Sequence, residues 1–138
     1  IDMKVNSFYP VIMTKNVEES SEFFINNLEF ETTFSSEWYI SLIDKYDNEV
    51  AFLESSHTTI PEGFRNQVRG LLLNFEVDNV DRIYKKLKES LEDRIVLDIR
   101  DEGFGQRHFI VEGPEKILID IIQVIEPTDE FKDNYEQK

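Results

Sequence analysis

Asp120 stands in the middle of "KILIDIIQVI", residues 116–125, a run whose isoleucine, leucine and valine content marks a strand buried on both faces. A carboxylate in such a run is costly unless a metal, a cation or hydrogen bonds compensate it. The preceding strand-like run, "GQRHFIV", offers two partners, Arg107 and His108. Successive side chains of a strand point to opposite faces, so only one of the two can share a face with Asp120, and the sequence does not choose. With Arg107 the carboxylate stays ionised in an ion pair, and with His108 it meets an imidazole. With neither, Asp120 protonates more easily and becomes a candidate general acid or base.

The other imidazole of the chain, His57, lies in the polar stretch "SSHTTIPEGFRNQVR", residues 55–69. No His-x-His or His-x-x-x-His spacing occurs, so nothing local argues for chelation. His57 reads as a loop residue and His108 as a hydrogen-bonding wall residue. A site made of both histidines with Glu54 and Asp120 requires residues 55–69 to fold over it. Trp38, the one tryptophan, could stack with Phe104 on a planar or cationic ligand, or could pack between a sheet and a helix.

Other chemistries drop out. The absence of cysteine excludes disulfides, thiolate metal sites and a cysteine nucleophile. The "EGFG" stretch joins two strands instead of entering a helix, so it is no phosphate loop, and no Gly-x-Ser-x-Gly elbow is present. Fifteen basic against 29 acidic residues give a formal charge of −14, which disfavours nucleic acid and anionic membrane as partners and suits a cationic or neutral small molecule. No apolar run approaches the ~20 residues that span a bilayer, and no leader pattern is visible. The expectation is a soluble, cytoplasmic protein. Ile1 and Asp2, ahead of Met3, read as additions to the native start.

The elements that must position these residues come in two copies. "YPVIMTKNVEE" (9–19) and "LLNFEVDNVDR" (72–82) superpose without a gap at an offset of 63 residues. Each is an apolar strand, a polar turn and a helix start, with Asn16 and Asn79 placed as N-caps and Glu19 completing a capping-box spacing. After the second cap, Val80, Ile83, Tyr84, Leu87 and Leu91 recur at helical spacing; Val17, Phe23, Phe24 and Leu28 are the less regular apolar set of the first. Three strand-like runs follow each helix: "FETTFSS", "EWYISLID" and "EVAFLES", then "RIVLDIR", "QRHFIVEG" and "KILIDIIQVI". Turn signals separate them at Asp47-Asn48, Gly103–Gly105 and Gly113-Pro114. The pattern is βαβββ twice: a module over about 8–54, a linker at 55–69, a module over about 70–125, and an acidic, peripheral tail at 126–138.

This pattern, with "TKNVEESSEFF", "VDNVDRIYKKL" and "RDEGFGQRHFIVEGPEKILIDIIQ", resembles the vicinal oxygen chelate superfamily of glyoxalases, bleomycin resistance proteins and extradiol dioxygenases. The resemblance covers roughly residues 8–125 and implies an α+β fold in which two βαβββ modules form a curved mixed sheet around a ligand cup. Phe104 stands where relatives have a Trp, and Gly113-Pro114-Glu115-Lys116 where they have Asp-Pro-x-Gly. Metal-dependent members place a carboxylate on the last strand, which here is Asp120, and further ligands at positions that fall on Tyr9, Leu72 and Phe52, with Glu54 two residues along on the same face. Leu72 and Phe52 carry no donor, and a divalent ion commonly takes three or more. The expectation is therefore no metal and no cofactor.

Strand alternation places Asp120 with Leu118 and Ile122, Leu72 with Asn74 and Glu76, and Tyr9 with Val11 and Met13, an apolar lining with a few polar fixtures. Tyr9, Trp38, Phe52, Glu54, Leu72, Asn74, Phe104, His108 and Asp120 are the candidate ligand-binding residues, with Asp120 the candidate for any catalysis. The resemblance implies a homodimer that binds a cationic or aromatic small molecule without a metal, of the bleomycin-resistance type. The alternatives are a lyase, isomerase or dioxygenase with a non-standard site drawn from His57, His108, Glu54 and Asp120, or a purely structural role.

Overall fold

Asn16 and Asn79, 63 positions apart, cap two helices of equal length. The Oδ1 of Asn16 accepts from the Glu19 amide at 3.0 Å and that of Asn79 from the Arg82 amide at 3.1 Å. These bonds satisfy amides that the first helical turn leaves free. The computed structural model describes residues 2–136, so Ile1 and the last two positions of the expected tail lie outside the described residues.

The chain divides at Arg69/Gly70 into two units. The first runs β1 (Val11–Thr14), α1 (Val17–Leu28), β2 (Glu31–Ser35), β3 (Tyr39–Ile43) and β4 (Glu49–Glu54). The second runs β5 (Leu72–Glu76), α2 (Val80–Leu91), β6 (Ile95–Glu102), β7 (Gln106–Glu112) and β8 (Leu118–Val124). Each unit is βαβββ and the class is α+β. The sheets have matching orders, β1-β4-β3-β2 and β5-β8-β7-β6, with one parallel pair each, β1 with β4 and β5 with β8. A parallel pair needs a crossover connection, and the helix lies within it. No helix among the described residues is long and apolar enough to cross a membrane.

Each helix covers one face of its own sheet. In the first unit Phe24 of α1 meets Phe52 of β4 edge to face at 5.1 Å and Phe30 at 5.7 Å. Ile12, Phe52 and Ile40 lie across from one another on three strands and are all buried. In the second unit Tyr84 of α2 meets Phe109 of β7 at 5.1 Å. Phe109 pairs with Ile121, which pairs with Phe75, so these residues form the row beneath α2. The faces turned away from the helices carry the alternate residues.

Two connections depart from the expected pattern. β6 continues two residues past Arg100, the end of the "RIVLDIR" run, so that Glu102 is a strand residue paired with Gln106. The β7–β8 turn holds Glu115 (φ 54°, ψ 33°) and Lys116 (φ 63°) in the left-handed region, the signature of a type I′ turn that Asn-Gly usually fills.

Candidate functional site

On the face of the second sheet turned away from α2, β7 contributes Gln106, His108 and Ile110, and β8 contributes Leu118, Asp120 and Ile122. The register pairs Ile110 with Asp120 and His108 with Ile122. His108 and Asp120 are therefore diagonal neighbours, within reach of long or aromatic side chains. The His108 Nδ1 lies 2.8 Å from the Asp120 Oδ1, and both residues are 5% exposed. The Nε2 of the same ring lies 2.8 Å from the Glu102 Oε2, which also accepts from the Arg100 Nε at 2.7 Å. Arg100, Glu102, His108 and Asp120 thus form one chain of alternating charge across β6, β7 and β8.

Two carboxylates on one imidazole decide its protonation. An ionised carboxylate only accepts, so two carboxylates, one at each ring nitrogen, favour the form of the ring in which both nitrogens donate, the imidazolium. Burial pushes the His108 pKa down, but the hydrogen bonds to Glu102 and Asp120 outweigh it, and the pKa is raised above the usual 6.5. Hydrogen bonding from His108, followed by that from Arg100, holds the Glu102 carboxyl below its usual range.

Arg107 points the other way. It pairs with Asp81 of α2 and Asp101 of β6, each at 2.9 Å, on the helix-covered face. The open choice between Arg107 and His108 thus falls to His108. Sequence reading missed Glu102 because "DEGFG" looks like a turn, whereas the two-residue period through Arg100 and Glu102 was the available signal.

The remaining candidates are placed as follows. Leu72 and Asn74 share the Asp120 face through the Leu72–Leu118 and Asn74–Asp120 pairs, and both are exposed. Tyr9 is exposed beside Tyr39. Burial, then the Tyr9 and Glu49 neighbours, raises the Tyr39 pKa.

Phe52 departs from its expected role: it is 0% exposed and packed on Phe24. Its row, which continues to Thr14 and Glu54, lies on the face opposite Val11 and Met13, where β4 instead presents Ala51 and Leu53. Neighbouring residues of one strand point to opposite faces, so Phe52 turns away from the side of Val11 and Met13. Glu54 shares the Phe52 side and accepts from the Ser56 hydroxyl at 2.9 Å.

Trp38, 37% exposed, stacks on His57 at 3.9 Å and 10° instead of entering the core. The His57 Nδ1 accepts from the Thr59 amide, which fixes that ring in place. Phe104 belongs to the second unit and meets Phe131 edge to face at 6.1 Å.

The residues present do not fit a divalent ion. Leu72 and Phe52 offer no donor, Glu54 lies on the wrong side of its sheet, and the Asp120 Oδ1 is engaged by His108. Among the described residues no group of three or more His, Asp or Glu side chains could hold a metal. Asp120, His108 and Glu102 are no exception, because the ring stands between the two carboxylates.

The arrangement of two βαβββ units, each with strand order 1-4-3-2, recurs in solved structures. A glyoxalase/bleomycin resistance protein/dioxygenase from Nocardioides aligns over 91% of this chain and 88% of its own, with a TM-score of 0.70 and 15% identity. The chain has the glyoxalase/bleomycin resistance/dioxygenase fold. A family enzyme of that description from Burkholderia phytofirmans covers 85% of this chain and 97% of its own at TM-score 0.71 and 18% identity. A lactoylglutathione lyase from Agrobacterium tumefaciens covers 88% and 96% at TM-score 0.67 and 11% identity. No protein-family model matches the sequence, and neither does any curated protein.

Proposed function

We propose that this protein binds a small molecule without a metal ion, on the helix-free face of its second sheet, and sequesters a cationic or aromatic compound. One observation carries this reading: His108 occupies both Asp120 and Glu102, at the last-strand position where metal-dependent members of the resembled superfamily keep a ligand carboxylate. A protonated imidazole there repels a divalent cation and satisfies the carboxylates that would hold it. Asn74 and Glu76 of β5 lie on the same face. They leave it rich in acceptors, in keeping with a chain of formal charge −14. Solved structures of this fold include proteins named as enzymes, and fold alone does not select among such activities. A lyase, isomerase or dioxygenase whose metal drew on Asp120 or Glu102 would have to share these carboxylates with His108.

Elemental analysis of the purified protein, with thermal-shift titrations of Ni, Zn, Mn and Fe(II), tests the metal-free part. The expected result is no stoichiometric metal and no shift. A bound metal that is lost in Asp120→Ala would sink the reading. A thermal-shift screen of cationic aromatic compounds, followed by Trp38 fluorescence, tests binding; no response from any of them would remove the sequestration reading.

A further inference from the structure

The chain after β8 does more than end the fold. Each of the three carbonyls of the β6–β7 turn accepts a hydrogen bond from it. The Thr128 amide donates to Gly103 O at 2.8 Å, the Tyr135 hydroxyl donates to Phe104 O, and the Ile125 amide donates to Gly105 O at 2.9 Å. The Thr128 hydroxyl adds a second bond to Gly103 O at 3.3 Å, and the Phe131 ring stands on the Phe104 ring at 89°. The fit is close at both glycines. A Cβ on Gly103 would lie 3.2 Å from Phe131 and from the Thr128 Oγ1, and one on Gly105 (φ +106°) 3.1 Å from the Tyr135 hydroxyl and from Ile125 O. Lys132 bridges Glu126 and Asp129 within the segment.

We infer that residues Ile125–Tyr135 form a strap that positions Glu102, and that Phe131 and Tyr135 are positioning residues for the outer hydrogen bond of His108. Glu102 immediately precedes the strapped turn and closes it, its carbonyl accepting from the Gly105 amide at 3.0 Å. A hairpin tip with a glycine at positive φ twists easily when nothing covers it. The Glu102 carboxylate meets the His108 Nε2 at 2.8 Å, and a hydrogen bond weakens steeply once distance and angle drift. The strap leaves the end of β8 at Ile125, five residues beyond Asp120, and none of its bonds to the turn involves the Asp120 side chain, so the inner bond of His108 should outlast the loss of the strap's outer contacts. The inference requires no ligand and stands or falls apart from the binding reading.

The test is proton NMR of the imidazolium N–H signals of His108 in the full chain at acidic to neutral pH, with Glu102→Gln marking the signal of the outer bond. In Tyr135→Phe combined with Phe131→Ala, the outer N–H should exchange with water about tenfold faster or vanish, while the inner N–H on Asp120 persists. Two unchanged signals in a folded variant would overturn the inference, as would the joint loss of both, which would signify general loosening. Should the double variant fail to fold, Tyr135→Phe alone removes one hydroxyl and is read by the same selective change, with both signals unchanged again counting against the strap.

Discussion

Arg107 and His108 are adjacent in sequence and point to opposite faces of one sheet, each between two carboxylates of its own. Arg107 bridges Asp81 and Asp101 beneath α2, and His108 bridges Glu102 and Asp120 on the other side. The first cluster ties helix to sheet at a largely exposed rim. The second neutralises a buried carboxylate, and its consequences can be measured.

The pH dependence of stability follows from the directions of two shifts. The folded pKa of His108 is raised, so its contribution is complete below the ordinary 6.5 and is lost as pH rises through the higher folded value. The folded pKa of Glu102 is lowered, so its contribution is present above the ordinary 4.5 and is lost as pH falls through the lower folded value. Melting temperature should therefore decline from pH 6 into the alkaline range in the natural chain, and this decline should be weaker in His108→Gln. Parallel profiles for the two proteins would show that His108 is not the titrating group.

His108→Leu removes the cation from between two carboxylates, one of them buried. The expected loss at pH 7 is about 3 kcal/mol, because Asp120 keeps its desolvation and loses its donor. Asp120→Asn in the same chain should recover part of that loss, giving a coupling of about 1–3 kcal/mol in a double-mutant cycle read by urea denaturation. Strict additivity would contradict the pairing.

Lys116 is exposed with φ 63°, at a turn position where relatives in the resembled superfamily have glycine. Left-handed backbone costs a side-chain-bearing residue about 1 kcal/mol relative to glycine. Lys116→Gly should raise the melting temperature by about 3 °C. A fall would reveal a contribution of the lysine side chain that outweighs the strain.

The face assignment of β4 is open to a direct comparison. Phe52→Ala should cost about 4 kcal/mol, since the ring is fully buried against Phe24. Tyr9→Phe, on an exposed ring, should cost about 0.5 kcal/mol. Denaturation midpoints of the two variants decide it, and comparable losses would refute the placement.

Much of this architecture was legible in the sequence because its signals are local. The repeat, the Asn16 and Asn79 caps, the helical period of α2 and the two runs of three strands depend on neighbours within a few residues, where propensity and periodicity act. Asp120 was identifiable as a carboxylate requiring compensation for the same reason: its strand is apolar all round. The partner of Asp120, the strand identity of Glu102 and the burial of Phe52 were not legible. Each depends on cross-strand register, and a shift of one residue in register exchanges the faces of a strand without altering its local pattern. The docking of Thr128, Phe131 and Tyr135 on the Gly103–Gly105 turn was equally hidden, since a polar tail carries no periodic signal and its partners lie more than twenty residues away. Composition and period are properties of the chain, whereas which of two adjacent cations meets a buried carboxylate is settled only when separate strands are brought side by side.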